Sequence, residues 1–153
     1  MGRLVEVRPE RLQSVDAVKS IGAAIGKVMR ELGTEAIFCV DWRRLRVLAP
    51  EVANALAELM KGGNSRTLRS AALIGERATF GLQMERVIRE ANNPSRRAFR
   101  DPAEMLAWLS EITTSAERAR ARDFLASSDA GAETTPPGAR TPLGVIGPLP
   151  RER

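Results

Sequence analysis

The sequence predicts an α/β domain: a sheet of about four mostly parallel strands covered by helices. Apolar or alternating runs recur at residues 3–8, 36–42, 68–75 and 97–100, and each is followed by apolar positions at helical spacing. Gly, Pro or a capping acid separates each run from the next. Strands separated by single helices pair in parallel through right-handed crossovers, which lays the helices over the sheet.

The first strand, Arg3–Arg8 (RLVEVR), alternates apolar and polar residues and reads as half-exposed; Pro9 breaks it. Val18, Ile21, Ile25, Val28, Met29 and Leu32 then share one face of a helix that Gly33 closes. AIFCVDW (36–42) is continuously apolar up to its acid, as expected of a strand covered on both faces. After the loop RRLRVLA, Pro50 and Glu51 open a helix presenting Val52, Ala55, Leu56, Leu59 and Met60. Proline suits a first-turn position whose amide has no helical partner, and an acid suits the positive end of the helix dipole. Gly62-Gly63-Asn64 ends that helix, and LRSAALIG (68–75) is the next apolar strand, closed by Gly75.

A helix from about Ala78 turns Phe80, Met84, Val87 and Ile88 inward and stops before Asn92-Asn93-Pro94. RAFR (97–100) is a short edge-like strand. Asp101-Pro102-Ala103-Glu104 combines an N-cap, an N1 proline and a capping-box acid, starting a helix with Met105, Trp108, Leu109 and Ile112. Thr114 and Glu117 start a last helix that runs to about Phe124-Leu125. From Ser127 on, SSDAGAETTPPGARTP has no apolar period. The expected organisation is therefore a domain over 1–126 (core 3–112, extension helix 114–126) and a disordered tail over 127–153.

Composition narrows the chemistry. A chain of 153 residues supports one core, and with aromatics at 4% and no Tyr that core rests on Leu, Val, Ile, Ala and Met. No run reaches ~18 apolar residues, the first ten residues lack a signal-peptide centre, and the single Cys39 cannot form an internal disulfide. These point to a cytoplasmic location without a membrane span. The net charge of +5 comes mostly from arginines scattered over every segment, which argues against a nucleic-acid face. There is no His, so Ser–His and Cys–His pairs are excluded, and neither a GxxxxGK[ST] nor a GxGxxG loop occurs. No catalytic residue, metal-ligand set or cofactor site stands out, and the expectation is a non-enzymatic binding module. Cys39 reads as a small core residue and Trp108 as a cover for the core edge.

Three pieces in succession carry a resemblance. AIFCVDWRRLRVLAPEVANAL, SAALIGERATFGLQMERVI and RRAFRDPAEMLAWL resemble the central strand with its loop and helix, the next strand and helix, and the closing pair of the STAS domain. That is the fold of bacterial anti-sigma factor antagonists, and the likeness is closer to the STAS/SEC14-like bacterial proteins. The resemblance covers residues 3–112 and implies a regulatory module that binds a protein partner, or a small-molecule or lipid-binding module with an apolar pocket between sheet and helix. There are two departures. The family usually has an extra strand before 3–8, and its absence leaves a bare sheet edge that invites pairing with another copy of the chain. Where antagonists carry a phosphorylated serine, this chain reads Ala49-Pro50-Glu51-Val52, so phosphoswitching is not expected there.

The strand ends near 41–51 and 75–79 should meet at one rim of the sheet, where ligands and partners collect in open α/β folds. Asp41, Trp42, Arg43, Arg44, Arg46, Glu51, Gly75, Glu76 and Arg77 form a charged docking surface on this reading, with Glu51 a permanent stand-in for a phosphate. The same residues also admit a structural account: a first-turn acid, an Asp paired with a neighbouring Arg, and solvated arginines. In the tail, PLGVIGPLPR (142–151) places Leu143, Val145, Ile146 and Leu149 in an apolar patch that reads as a docking motif. It resembles the C-terminal peptides that load cargo into encapsulin shells; an unselected tail is the alternative.

Overall fold

A computed structural model describes residues 2–127 and 145–146 of the chain. The elements run β1 (Leu4–Val7), α1 (Val15–Leu32), β2 (Ala36–Asp41), α2 (Pro50–Gly62), β3 (Thr67–Leu73), α3 (Ala78–Glu90), β4 (Arg96–Phe99), α4 (Pro102–Ser110), α5 (Ser115–Ala126) and β5 (Val145–Ile146). The strand order is β4-β3-β2-β1-β5, and β1 to β4 are all parallel. Each new strand adds beside the last in the same direction. Right-handed crossovers then put α1, α2 and α3 on one face, and α4 and α5 cover the other.

Side-chain parity divides the core between these faces. Val5, Val7, Phe38, Val40, Ala72 and Ile74 point toward α1–α3. Leu4, Ile37, Cys39, Ala71 and Leu73 point toward Met105 and Leu109 of α4 and Phe124 and Leu125 of α5. Burial on both faces explains the unbroken apolar run of β2.

Local signals fix the helix ends. Ser14 Oγ accepts the Ala17 amide, and Gly33 closes α1 at φ 68°, a conformation costly for residues with a Cβ. Asp101 caps α4 through the Ala103 amide. Thr114 and Glu117 form a reciprocal capping box on α5. Glu117 Oε1 also accepts the Arg3 amide at 2.7 Å, so the cap of the last helix anchors the start of the first strand. Burial alone would raise the Glu117 carboxyl. The amides of Arg3 and Thr114 and the charge of Arg3 outweigh it and hold the group below its ordinary value.

Two features depart from the sequence reading. β1 is buried at every position rather than half-exposed, because α5 lies across its second face. Glu6 is 5% exposed there, and its Oε2 is 3.1 Å from Arg120 of α5. Burial raises the Glu6 carboxyl, and Arg120 only partly offsets this. The sheet also has a fifth strand in the segment expected to lack structure. Val145 pairs with Val7 and Ile146 with Glu6, antiparallel, so the chain's own C-terminal segment occupies part of the edge that was expected to be bare. Residues 128–144 and 147–153, with Leu143 and Leu149 of the tail motif, lie outside the described residues. Among the described residues, no helix is long and apolar enough to cross a membrane.

Candidate functional site

The structure brings the predicted rim residues together, in two very different conditions. Asp41, at the end of β2, is fully buried. Its carboxylate accepts Arg8 Nε at 3.0 Å, Arg43 Nε at 3.0 Å and the Arg43 amide at 3.0 Å. Both arginines continue to the end of α5. Arg8 donates to the Phe124 carbonyl and lies over the Phe124 ring, and Arg43 Nη2 donates to the Leu125 carbonyl at 2.7 Å. Guanidinium groups on the last carbonyls of a helix complement its negative dipole end. This cluster clasps α5 to the sheet. Trp42 is also buried, its ring part of the core under α1–α3. Gly75, at φ 64°, makes the turn out of β3.

The other rim residues face solvent. Arg44 pairs with Glu10 at 3.0 Å, and Arg46, Glu51, Glu76 and Arg77 are exposed. Two large apolar side chains are exposed: Val47, which shares a groove with Arg46 and Arg77, at 56%, and Leu82 of α3 at 65%. The Gln83 amide holds the adjoining loop to α3, accepting the Leu48 amide and donating to its carbonyl, both at 2.8 Å. Cys39 is buried mid-strand, where burial pushes its thiol well above the ordinary range, the state of an inert core residue.

A second site lies between the sheet and the layer formed by α1 and α2. Here the structure holds a cavity of about 560 Å³, within the size range of small-molecule sites. Its floor comes from two rows of the parallel register. One row supplies Phe38, Ser70 and Arg96; the next supplies Val7, Val40 and Ala72. Its roof comes from Ile21, Ile25 and Met29 of α1 and Leu56, Leu59 and Met60 of α2. Gly22 sets the seam between these helices: a Cβ there would stand 2.7 Å from Leu59 Cδ1, so Leu59 would have to shift from its place against the α1 backbone.

The arginines of the cavity gather toward one end, where β3 and β4 begin. Arg96 is 8% exposed; its Nε donates to Asn64 Oδ1 at 2.9 Å, and its Nη2 to the Met60 carbonyl at 2.8 Å and Thr67 Oγ1 at 3.1 Å. Burial draws its pKa down to about 10. Arg66 Nη2 caps the end of α1 through the Met29 carbonyl at 2.8 Å, and Arg30 folds back along α1 so that Nη1 lies over Gly26. No carboxylate pairs with Arg30, Arg66 or Arg96 among the described residues. Among the described residues of the lining the acid is Glu58, exposed on α2.

None of these arginines, nor Ser70, stood out in the sequence. The available signal was parity. Ser70 shares its face with Ala72 and Ile74, so a hydroxyl sits at a core-facing position of an apolar strand.

Comparison with protein-family models, with curated proteins and with solved structures found no match.

Proposed function

We propose that this chain is a binding module whose cavity between the sheet and α1/α2 takes a small apolar or amphipathic molecule. The observation that carries the reading is the lining: about 560 Å³ walled mostly by apolar side chains, with the arginines gathered at one end. Apolar walls supply affinity through surface removed from water, and a few convergent polar groups supply orientation. The lipid- or small-molecule-binding alternative implied by the STAS/SEC14-like resemblance agrees with this arrangement. Denaturing mass spectrometry of gently purified protein tests it. A small molecule released in near-stoichiometric amount supports the reading. Protein that arrives empty and takes up no aliphatic probe opposes it.

A second reading, a regulatory STAS-type module that binds a protein at the rim, is favoured by one observation. Val47 and Leu82 are exposed, and Val47 shares a surface groove with Arg46 and Arg77. Apolar side chains rimmed by charge are the usual anatomy of a protein contact. On this reading Glu51 lends fixed charge at the α2 start, and Asp41, Trp42 and Arg43 support the surface from beneath.

A further inference from the structure

The polar end of the cavity carries more information than its volume. Ser70 is 4% exposed, and its hydroxyl makes no hydrogen bond among the described residues. Every fully enclosed side-chain nitrogen or oxygen among them has a partner. The Ser70 hydroxyl therefore opens to the cavity rather than into packed protein. Arg96 is its partner in the β3–β4 register, so both side chains rise from one row of the sheet on one face. Three acceptors take Arg96 Nε and Nη2, and none takes Nη1 among the described residues.

The Ser70 hydroxyl and the cationic Arg96, register neighbours that both line the cavity, thus stand at one end of a largely apolar space. A buried cation without a counter-charge is costly, and an unmade hydrogen bond of a buried donor costs free energy as well. An anionic oxygen group placed there relieves both costs at once, through charge-assisted bonds from Arg96 Nη1 and the Ser70 hydroxyl. Arg66 and Arg30 add positive potential at the same end. Away from this end the wall is mostly apolar, from Val40 and Leu56 past Trp42 to Val7 and Leu12, and among the described residues it brings no charged group.

We propose that the occupant is a single-chain amphiphile with an anionic oxygen head group, its head seated on Ser70 and Arg96 and its aliphatic chain lying under α1 and α2. This rests on the reading of the cavity as a ligand site and adds the ligand's chemical class and orientation. The head group is a carboxylate or a phosphate monoester, which share this chemistry.

The test is calorimetric titration of the full chain with dodecanoate, dodecyl phosphate and dodecanol at neutral pH. The expected result is that at least one of the two anionic probes binds about ten- to a hundred-fold more tightly than the alcohol, the worth of hydrogen bonds to a charged group. Whichever anion binds better identifies the head group. Arg96→Gln should bring the anion-to-alcohol affinity ratio close to one, and Ser70→Ala should narrow it. Should Arg96→Gln fail to fold, the wild-type ratio and Ser70→Ala decide. Equal binding of anions and alcohol would overturn the head-group assignment and leave the cavity reading standing. No binding of any probe, by protein shown to be free of bound small molecules, would overturn both.

Discussion

Replacing Ala72 by leucine tests directly whether the space above the sheet is available. Ala72 lies mid-floor, 3% exposed, between Val40 and Ala98 in the register and lining the cavity. Leucine adds three carbons there. At about 0.8 kcal/mol per buried methylene this contributes roughly 2.4 kcal/mol, and fixing the side chain costs about 0.5–1 kcal/mol. The net expectation is a stabilisation of about 1.5 kcal/mol, a rise in Tm of roughly 5 °C for a domain of this size. In a close-packed core the same substitution is destabilising by about 1–3 kcal/mol, so the sign alone decides. Urea denaturation and a thermal melt read it, and aliphatic probes should bind more weakly to the variant. A folded but destabilised Ala72→Leu protein that binds probes as well as the wild type would mean that the space above Ala72 is already packed.

Other substitutions address the clasp, the cap and the rim. Asp41→Asn leaves Arg8 and Arg43 without their buried counter-charge and should cost about 3 kcal/mol in urea, with faster hydrogen exchange in α5. Glu117 is held below its ordinary pKa, so it contributes stability that is complete above the unfolded-state value and lost as pH falls through the folded one. Glu117→Gln should therefore lose about 1 kcal/mol at neutral pH and flatten the acid side of the stability profile. Glu6 has the opposite sign: its raised pKa weakens the fold at neutral pH, and that cost is relieved as pH falls through the folded value. Val47→Ser with Leu82→Ser should leave stability within about 0.5 kcal/mol, both residues being exposed. Loss of a captured protein partner in that double variant would support the rim reading, and unchanged capture would count against it.

The elements were legible because their signals are local. The capping box at Thr114–Glu117, the proline after Asp101 and the αL glycine at Gly33 each sit within a turn of the boundary they set. The charged rim was legible as a cluster, but not its division into a buried clasp and an exposed face. That division depends on α5 returning its last carbonyls to Arg8 and Arg43 from more than 80 residues away. The same return buries Glu6, which in sequence is an ordinary polar position of an alternating strand. β5 was illegible for a related reason: Val145 and Ile146 gain a partner only at the edge of β1. The cavity leaves the faintest trace. Its roof height is set by α1 against α2, and its polar end joins Ser70 to Arg96 through a pairing of strands.

The most direct test of the account is an amide chemical-shift titration of the full chain with dodecanoate and, where the phosphate is the better ligand, with dodecyl phosphate. A ligand in the cavity should shift the amides around Gly26, Leu59, Ser70, Ala72 and Arg96, saturating together, with little change at Glu76 and Arg77. Shifts confined to the exposed rim, or none at any probe concentration below micelle formation, would contradict it.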